Sequence, residues 1–118
     1  MKFLGVDYGQ KRIGVAVSDN GIYARPLCTI ENRGQKKNLE AIRKLLATDT
    51  VVVFGLPKGS RLLAEIRALG DELGAVYHDE YLSSVAAEQH IRDTKSKNTV
   101  DEVAATMILQ SFIEKHYI

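Results

Sequence analysis

Residues 3–19, FLGVDYGQKRIGVAVSD, hold two apolar runs separated only by the tetrapeptide YGQK. A gap that short has room for a turn and nothing more. Lys2 to Asp7 and Arg12 to Ser18 are therefore predicted to pair as a hairpin, with Gly9 in its turn. A third extended run, Ile22 to Ile30, follows the DNG turn at Asp19 to Gly21, and its Pro26 suits an edge strand or a bulge. The pattern then changes. Leu39, Ile42, Leu45 and Leu46 recur at helical spacing, TVVVFGLP reads as a fully apolar strand, and SRLLAEIRALGDELG forms a second amphipathic helix closing at Gly74. AVYHDE supplies a fifth strand. Two more helices are predicted, from Ser84 to Thr94 and from Thr99 to Tyr117, joined by the basic loop DTKSKN.

Three meandering strands followed by helix, strand, helix, strand and a helical end predict an α/β fold. Its mixed five-stranded sheet has three antiparallel strands and then two parallel ones, with helices on its faces. The unbroken run VVVF fits an interior parallel strand covered on both sides. This is the element order of the ribonuclease H-like fold. At 118 residues the chain is expected to be one domain, residues 1–118, too short for two lobes closing over a substrate.

Charge excludes an overall field. Sixteen basic and fifteen acidic residues leave a net charge of +1, so a surface for nucleic acid must come from local clustering. The single Cys28 cannot form an intramolecular disulfide and reads as a small buried hydrophobe. With no signal-like or spanning segment in the sequence, a cytoplasmic protein with no membrane partner is expected.

Three places put an acid where a strand end or a buried stripe is expected. Along the first strand Phe3, Gly5 and Asp7 share one face, so Asp7 ends a line of core-type positions. A solvated strand end, bonded to the amides of Gly9 and Gln10, is the competing reading. Asp79 and Glu80 close the fifth strand at its carboxyl end, where open α/β sheets hold ligands. They point to opposite faces, and spacing alone does not choose which joins Asp7. In the last helix, Asp101 leads the stripe Ala104, Ala105, Ile108 and Phe112. TVDE at 99–102 also reads as a capping box that uses Thr99 and Glu102 and leaves Asp101 able to face inward. Carboxylates gathered at one sheet edge repel each other unless a cation sits among them. Mg²⁺ accepts such oxygens together with water and phosphate, so the cluster points to phosphodiester chemistry.

GVDYGQKRIGVAVSD closely resembles the N-terminal signature of the YqgF/RuvX family, the Holliday junction resolvase-like proteins also linked to ribosomal RNA maturation. VVVFGLP, HDEYLSSVAAEQ and TVDEVAATMILQSFI resemble its later motifs in the same order, over almost the whole chain. The resemblance implies a metal-dependent endonuclease acting on Holliday junction DNA or precursor 16S ribosomal RNA. It maps catalytic, metal-binding acids to Asp7, Glu80 and Asp101, with Mg²⁺ or Mn²⁺ as cofactor, and it is the resemblance that selects Glu80 over Asp79. Lys11 and Arg12 on the first hairpin, and Lys95 and Lys97 in the basic loop, are candidates for contacts to backbone phosphate. Cutting a four-way junction symmetrically calls for a homodimer, for which the sequence carries no signal.

The chain departs from the family pattern twice. Tyr81 stands where an Arg usually follows the glutamate, and KGS after GLP replaces a longer polar loop. Both favour a rival reading, a nucleic-acid- or ribosome-associated binding protein with weak or no catalysis. An actin- or sugar-kinase-like ATP-binding domain also pairs an Asp with Gly on its first hairpin, but needs a second lobe. His78, beside the acid pair, reads either as a tuning group or as a partly buried strand histidine.

Overall fold

Period-two alternation in the first strand puts Leu4, Val6 and Tyr8 on one side and Phe3, Gly5 and Asp7 on the other, and both sides are covered. The computed structural model describes residues 2–57, 61–79 and 100–117. Five strands, β1 (Lys2–Tyr8), β2 (Arg12–Ser18), β3 (Arg25–Glu31), β4 (Thr50–Leu56) and β5 (Val76–Asp79), form one sheet in the order β3-β2-β1-β4-β5. The first three pair antiparallel, and β4 and β5 join in parallel. Helices α1 (Gln35–Leu45) and α2 (Leu63–Glu72) bury Ile42, Ile66 and Leu69 against Leu4, Val6, Ile13, Val15, Val52 and Phe54. Helix α3 (Val100–Tyr117) covers the other face, packing Ala105, Leu109, Phe112 and Ile113 on Phe3, Ala16 and Val53. Each large apolar side chain buried there contributes about 1.5–3 kcal/mol.

This is the mixed sheet expected from the sequence, three antiparallel strands and then two parallel ones, with β4 interior and apolar on both faces. Pro26 lies on the edge strand, and the register shifts beside it, between Val15 and Ala16. The third strand begins at Arg25, three residues later than predicted. The amides ahead of it are already satisfied: Ile22 and Tyr23 donate to Asn20 Oδ1 at 2.9 and 3.0 Å, and Ala24 donates to Gln110 Oε1 at 2.7 Å. Gly74, at φ 64°, ends α2 in a Schellman turn, with the Ala75 amide on the Gly70 carbonyl at 2.8 Å. The predicted helix from Ser84 to Thr94, the basic loop and Thr99 lie outside the described residues. Among those described, no helix is long and apolar enough to cross a membrane.

Two glycines bring α3 close to the sheet. A Cβ on Gly5 would lie 2.7 Å from Leu109 Cβ, and one on Gly14 would lie 1.9 Å from the Asp101 carbonyl oxygen. At both positions the absent side chain is what admits the helix.

Candidate active site

Register places the acids. Asp7 on β1 pairs with Gly14 on β2, and Gly14 pairs with Thr29 on β3. Paired residues share a face, and here it is the α3 face, because the backbone of Asp101 rests on Gly14. Gly5, two residues before Asp7, meets Ala105, one turn after Asp101. The first turn of α3 therefore sits over the row Asp7–Gly14–Thr29, at the carboxyl ends of the parallel strands. Both acids are half-buried, with the Asp101 side chain 23% exposed. Asp7 does not use the Gly9 amide, which donates to the Arg12 carbonyl at 2.9 Å.

Arg12 opens β2 on the same face as Gly14. Its Nε donates to Asp101 Oδ2 at 2.9 Å, and the side chain is 66% exposed. One phosphate candidate thus neutralises one of the acids while four of its five N–H donors remain for other acceptors. Next to Asp101, the Glu102 carboxylate accepts a 3.1 Å hydrogen bond from Thr29 Oγ1, tying the start of α3 to the edge strand. Lys11 is exposed in the hairpin turn, whose carbonyls are held by Asn32: its amide bonds Lys11 O and its Nδ2 bonds Gly9 O, both at 2.9 Å.

Strand β5 fixes the face of Asp79, one of the two acids that spacing left unresolved. His78 faces α3, with Nε2 3.0 Å from Ser111 Oγ and its ring edge-on to Phe112 at 5.9 Å. Burial, then the nearby Lys115, pushes its imidazole below the ordinary 6.5, as for a partly buried strand histidine. Tyr77 faces the other way, its hydroxyl donating to Asp71 of α2 at 2.7 Å. Asp79 shares the Tyr77 face, opposite Asp7. Glu80, Tyr81, Lys95 and Lys97 lie outside the described residues. Among those described, no trio of His, Cys, Asp or Glu is grouped to hold a metal ion. Asp7 and Asp101 nonetheless offer hard carboxylate oxygens from the same face of the sheet, and Mg²⁺ needs only one or two protein carboxylates.

The pairings that set this site escaped sequence reading. Arg12 and Asp101 are 89 residues apart, Thr29 and Glu102 are 73 apart, and no local pattern links them. The signal that was available is the glycine at position 14 in an otherwise β-branched and apolar strand, which marks a close backbone approach.

The fold belongs to the ribonuclease H-like class that includes Holliday junction resolvases. The fowlpox virus Holliday junction resolvase superposes with a TM-score of 0.63 at 14% identity, over 98% of this chain and 99% of that one. The structure of Thermus thermophilus RuvC in complex with a Holliday junction substrate gives 0.57 at 14% identity, over 98% and 95%. Within that class the chain belongs to the RuvX family, described as Holliday junction resolvase, whose model matches residues 1–115. A relative from Chloroflexus aggregans, named as a candidate pre-16S rRNA nuclease, is 39% identical over 94% of this chain and 92% of its own. Relatives with the same name from Carboxydothermus hydrogenoformans and Clostridium botulinum are 38% and 35% identical, over 96% and 98% of both chains.

Proposed function

We propose that this chain is a divalent-metal-dependent endonuclease that hydrolyses phosphodiester bonds in structured nucleic acid, with precursor 16S ribosomal RNA as its substrate. The observation that carries the reading is the stacking of Asp101 over the partner of Asp7, two hard carboxylates on one face at the carboxyl edge of the parallel strands. Asp7, Asp101 and Glu80 would hold Mg²⁺ or Mn²⁺, and the exclusion of Asp79 to the far face supports Glu80 as the third acid. A bound ion of this kind activates water and offsets charge on the scissile phosphate. The chain's own residues do the rest. Strand β1 and helix α3 hold the two acids rigidly, and Arg12 and Lys11 present N–H donors to backbone phosphate, with Lys95 and Lys97 assigned the same role. The family description names a Holliday junction resolvase, but RNA is favoured over a four-way junction because the individual relatives above 30% identity carry the RNA name, whereas the solved resolvases lie at 14%. A cytoplasmic location accords with that substrate, and an RNA cut on one strand needs no homodimer.

The test is cleavage of a labelled precursor 16S rRNA fragment, beside a four-way DNA junction, in Mg²⁺, in Mn²⁺ and in EDTA. We expect metal-dependent cutting of the RNA and complete loss with chelator. Cutting that persists in EDTA, or RNA that is bound and never cut, overturns the nuclease reading. In the second case the protein is a binding protein.

Arg12 gives a separate expectation. Its exposed ion pair with Asp101 contributes no more than about 1 kcal/mol to folding. Arg12→Ala should therefore lower Tm by about 4 °C at most, while affinity for the RNA falls uniformly across sequences. Thermal melting and anisotropy titration of the same sample check both halves.

A further inference from the structure

Helix α1 carries a surface that the proposed site leaves unused. Arg33, Lys36, Lys37, Arg43 and Lys44 are five of the chain's 16 basic residues, and Glu40 is the one acid between residues 33 and 44. In a chain of net charge +1 such a concentration leaves the remainder slightly acidic. All five are exposed. Arg33 pairs with Glu31 at 2.9 Å, but both side chains are more than 60% exposed, so solvent screens the pair and a stronger anion can replace it. The four cations on the helix take part in none of the described ion pairs. Lys36 and Arg43 are seven residues apart, as are Lys37 and Lys44. They therefore form two parallel rows, each spanning about 10 Å. Beside them a groove of about 470 Å³ runs between α1 and β3, lined by Arg33, Lys37, Lys44, Glu31, Glu40 and Thr29, among others.

The groove connects to the candidate active site through one asparagine. Asn32, which precedes Arg33, bonds the carbonyls of Gly9 and Lys11 in the hairpin turn. It is itself held by the fully buried Asn38, whose Nδ2 donates to Asn32 Oδ1 at 2.8 Å and whose Oδ1 accepts from the Arg33 amide at 3.0 Å. Arg12, Lys11, Arg33, Lys37 and Lys44 thus follow one another from Asp101 around the sheet edge and along α1.

We infer that the α1 surface is a second nucleic-acid contact, gripping the phosphate backbone of a duplex that flanks the cleavage site. The inference rests on the nuclease reading for its direction, since the cation track starts at the acids. Two features favour phosphate over an acidic protein. No aromatic residue occurs from Glu31 to Asp49, and Leu39, Leu45 and Leu46 pack inward, so the surface lacks the apolar anchor that protein interfaces use. Cations without aromatic partners suit backbone contact to a duplex better than stacking on single-stranded bases.

The experiment is fluorescence-anisotropy binding in EDTA, so that no cleavage occurs. The ligands are an RNA junction with long duplex arms and one with arms trimmed to less than a helical turn, titrated over a series of salt concentrations. Lys37→Glu/Lys44→Glu should weaken binding to the long-armed junction by about tenfold or more, and lower the log–log salt slope by about 1.8, two contacts' worth. Binding to the trimmed junction should be nearly unchanged. Lys36→Gln/Arg43→Gln, milder and helix-compatible, should show a smaller loss of the same kind and guards against a misfolded first variant. Unchanged affinity and slope in both folded variants would overturn the inference and leave α1 for an acidic protein partner. A parent chain that binds neither junction overturns it too. Parent binding without metal-dependent cutting, by contrast, removes the nuclease reading and leaves the α1 contact standing.

Discussion

Asp7→Asn lowers the rate of RNA cleavage by about 10³-fold or more. The substitution keeps size and shape at the end of β1 but removes one negative charge and replaces a hard carboxylate oxygen with a weaker amide donor. Metal-assisted charge stabilisation is worth several kcal/mol, and about 1.4 kcal/mol accounts for each tenfold in rate. Loss of one ion-holding carboxylate therefore removes several decades. The fold should tolerate the change. Asp7 is half-buried beside Gly14, and asparagine is nearly isosteric with the aspartate it replaces. Tm is expected to stay within about 4 °C of the parent. Calorimetric titration with Mn²⁺ supplies a readout independent of turnover, and affinity for the ion should fall in parallel. A variant that cuts within tenfold of the parent, or binds Mn²⁺ equally well, removes Asp7 from the metal site.

What the sequence disclosed depended on how local each signal was. The hairpin was legible because YGQK allows nothing but a turn, and the edge position of β3 followed from a single Pro26. The inward face of α3 was legible because Ala104, Ala105, Ile108 and Phe112 repeat at helical spacing, and all four are buried. The side of the sheet on which β5 places Asp79 was not legible. Alternation gives a period but no phase, and the phase is set by Tyr77 reaching Asp71 under α2 and His78 reaching Ser111 on α3. Glu102 illustrates the same limit. Its carboxylate accepts from Thr29, 73 residues earlier, because docking of α3 brings β3 beneath it, whereas Thr99, the other half of the capping box, lies outside the described residues. Pairings of this kind depend on a helix finding its seat, and the seat is made by glycines whose importance lies in the absence of a side chain.

Gly14→Ala tests that seat and should damage stability and activity together. The new methyl would lie 1.9 Å from the Asp101 carbonyl oxygen and 2.3 Å from its carbon, and these are backbone atoms that no rotamer change can move aside. The first turn of α3 must lift by roughly 1 Å in a densely packed layer. Overpacking of this kind costs about 1–3 kcal/mol, or about 4–12 °C in Tm for a domain of this size. The lift also carries Asp101 away from Asp7. A 1 Å misplacement costs on the order of 10²-fold in rate, so cleavage should drop by about that factor at temperatures where the variant is fully folded. Gly5→Ala separates the two effects. Its methyl would meet Leu109 Cβ at 2.7 Å, two turns beyond Asp101, and the Ala105 carbonyl oxygen more loosely at 3.1 Å, so the conflict falls mainly on packing and less on the seat of Asp101. Melting curves should therefore fall for both variants, whereas single-turnover cleavage of the RNA should fall steeply only for Gly14→Ala. Equal loss of activity in the two would mean that general loosening of α3, and not the position of Asp101 over the Asp7 row, limits the reaction.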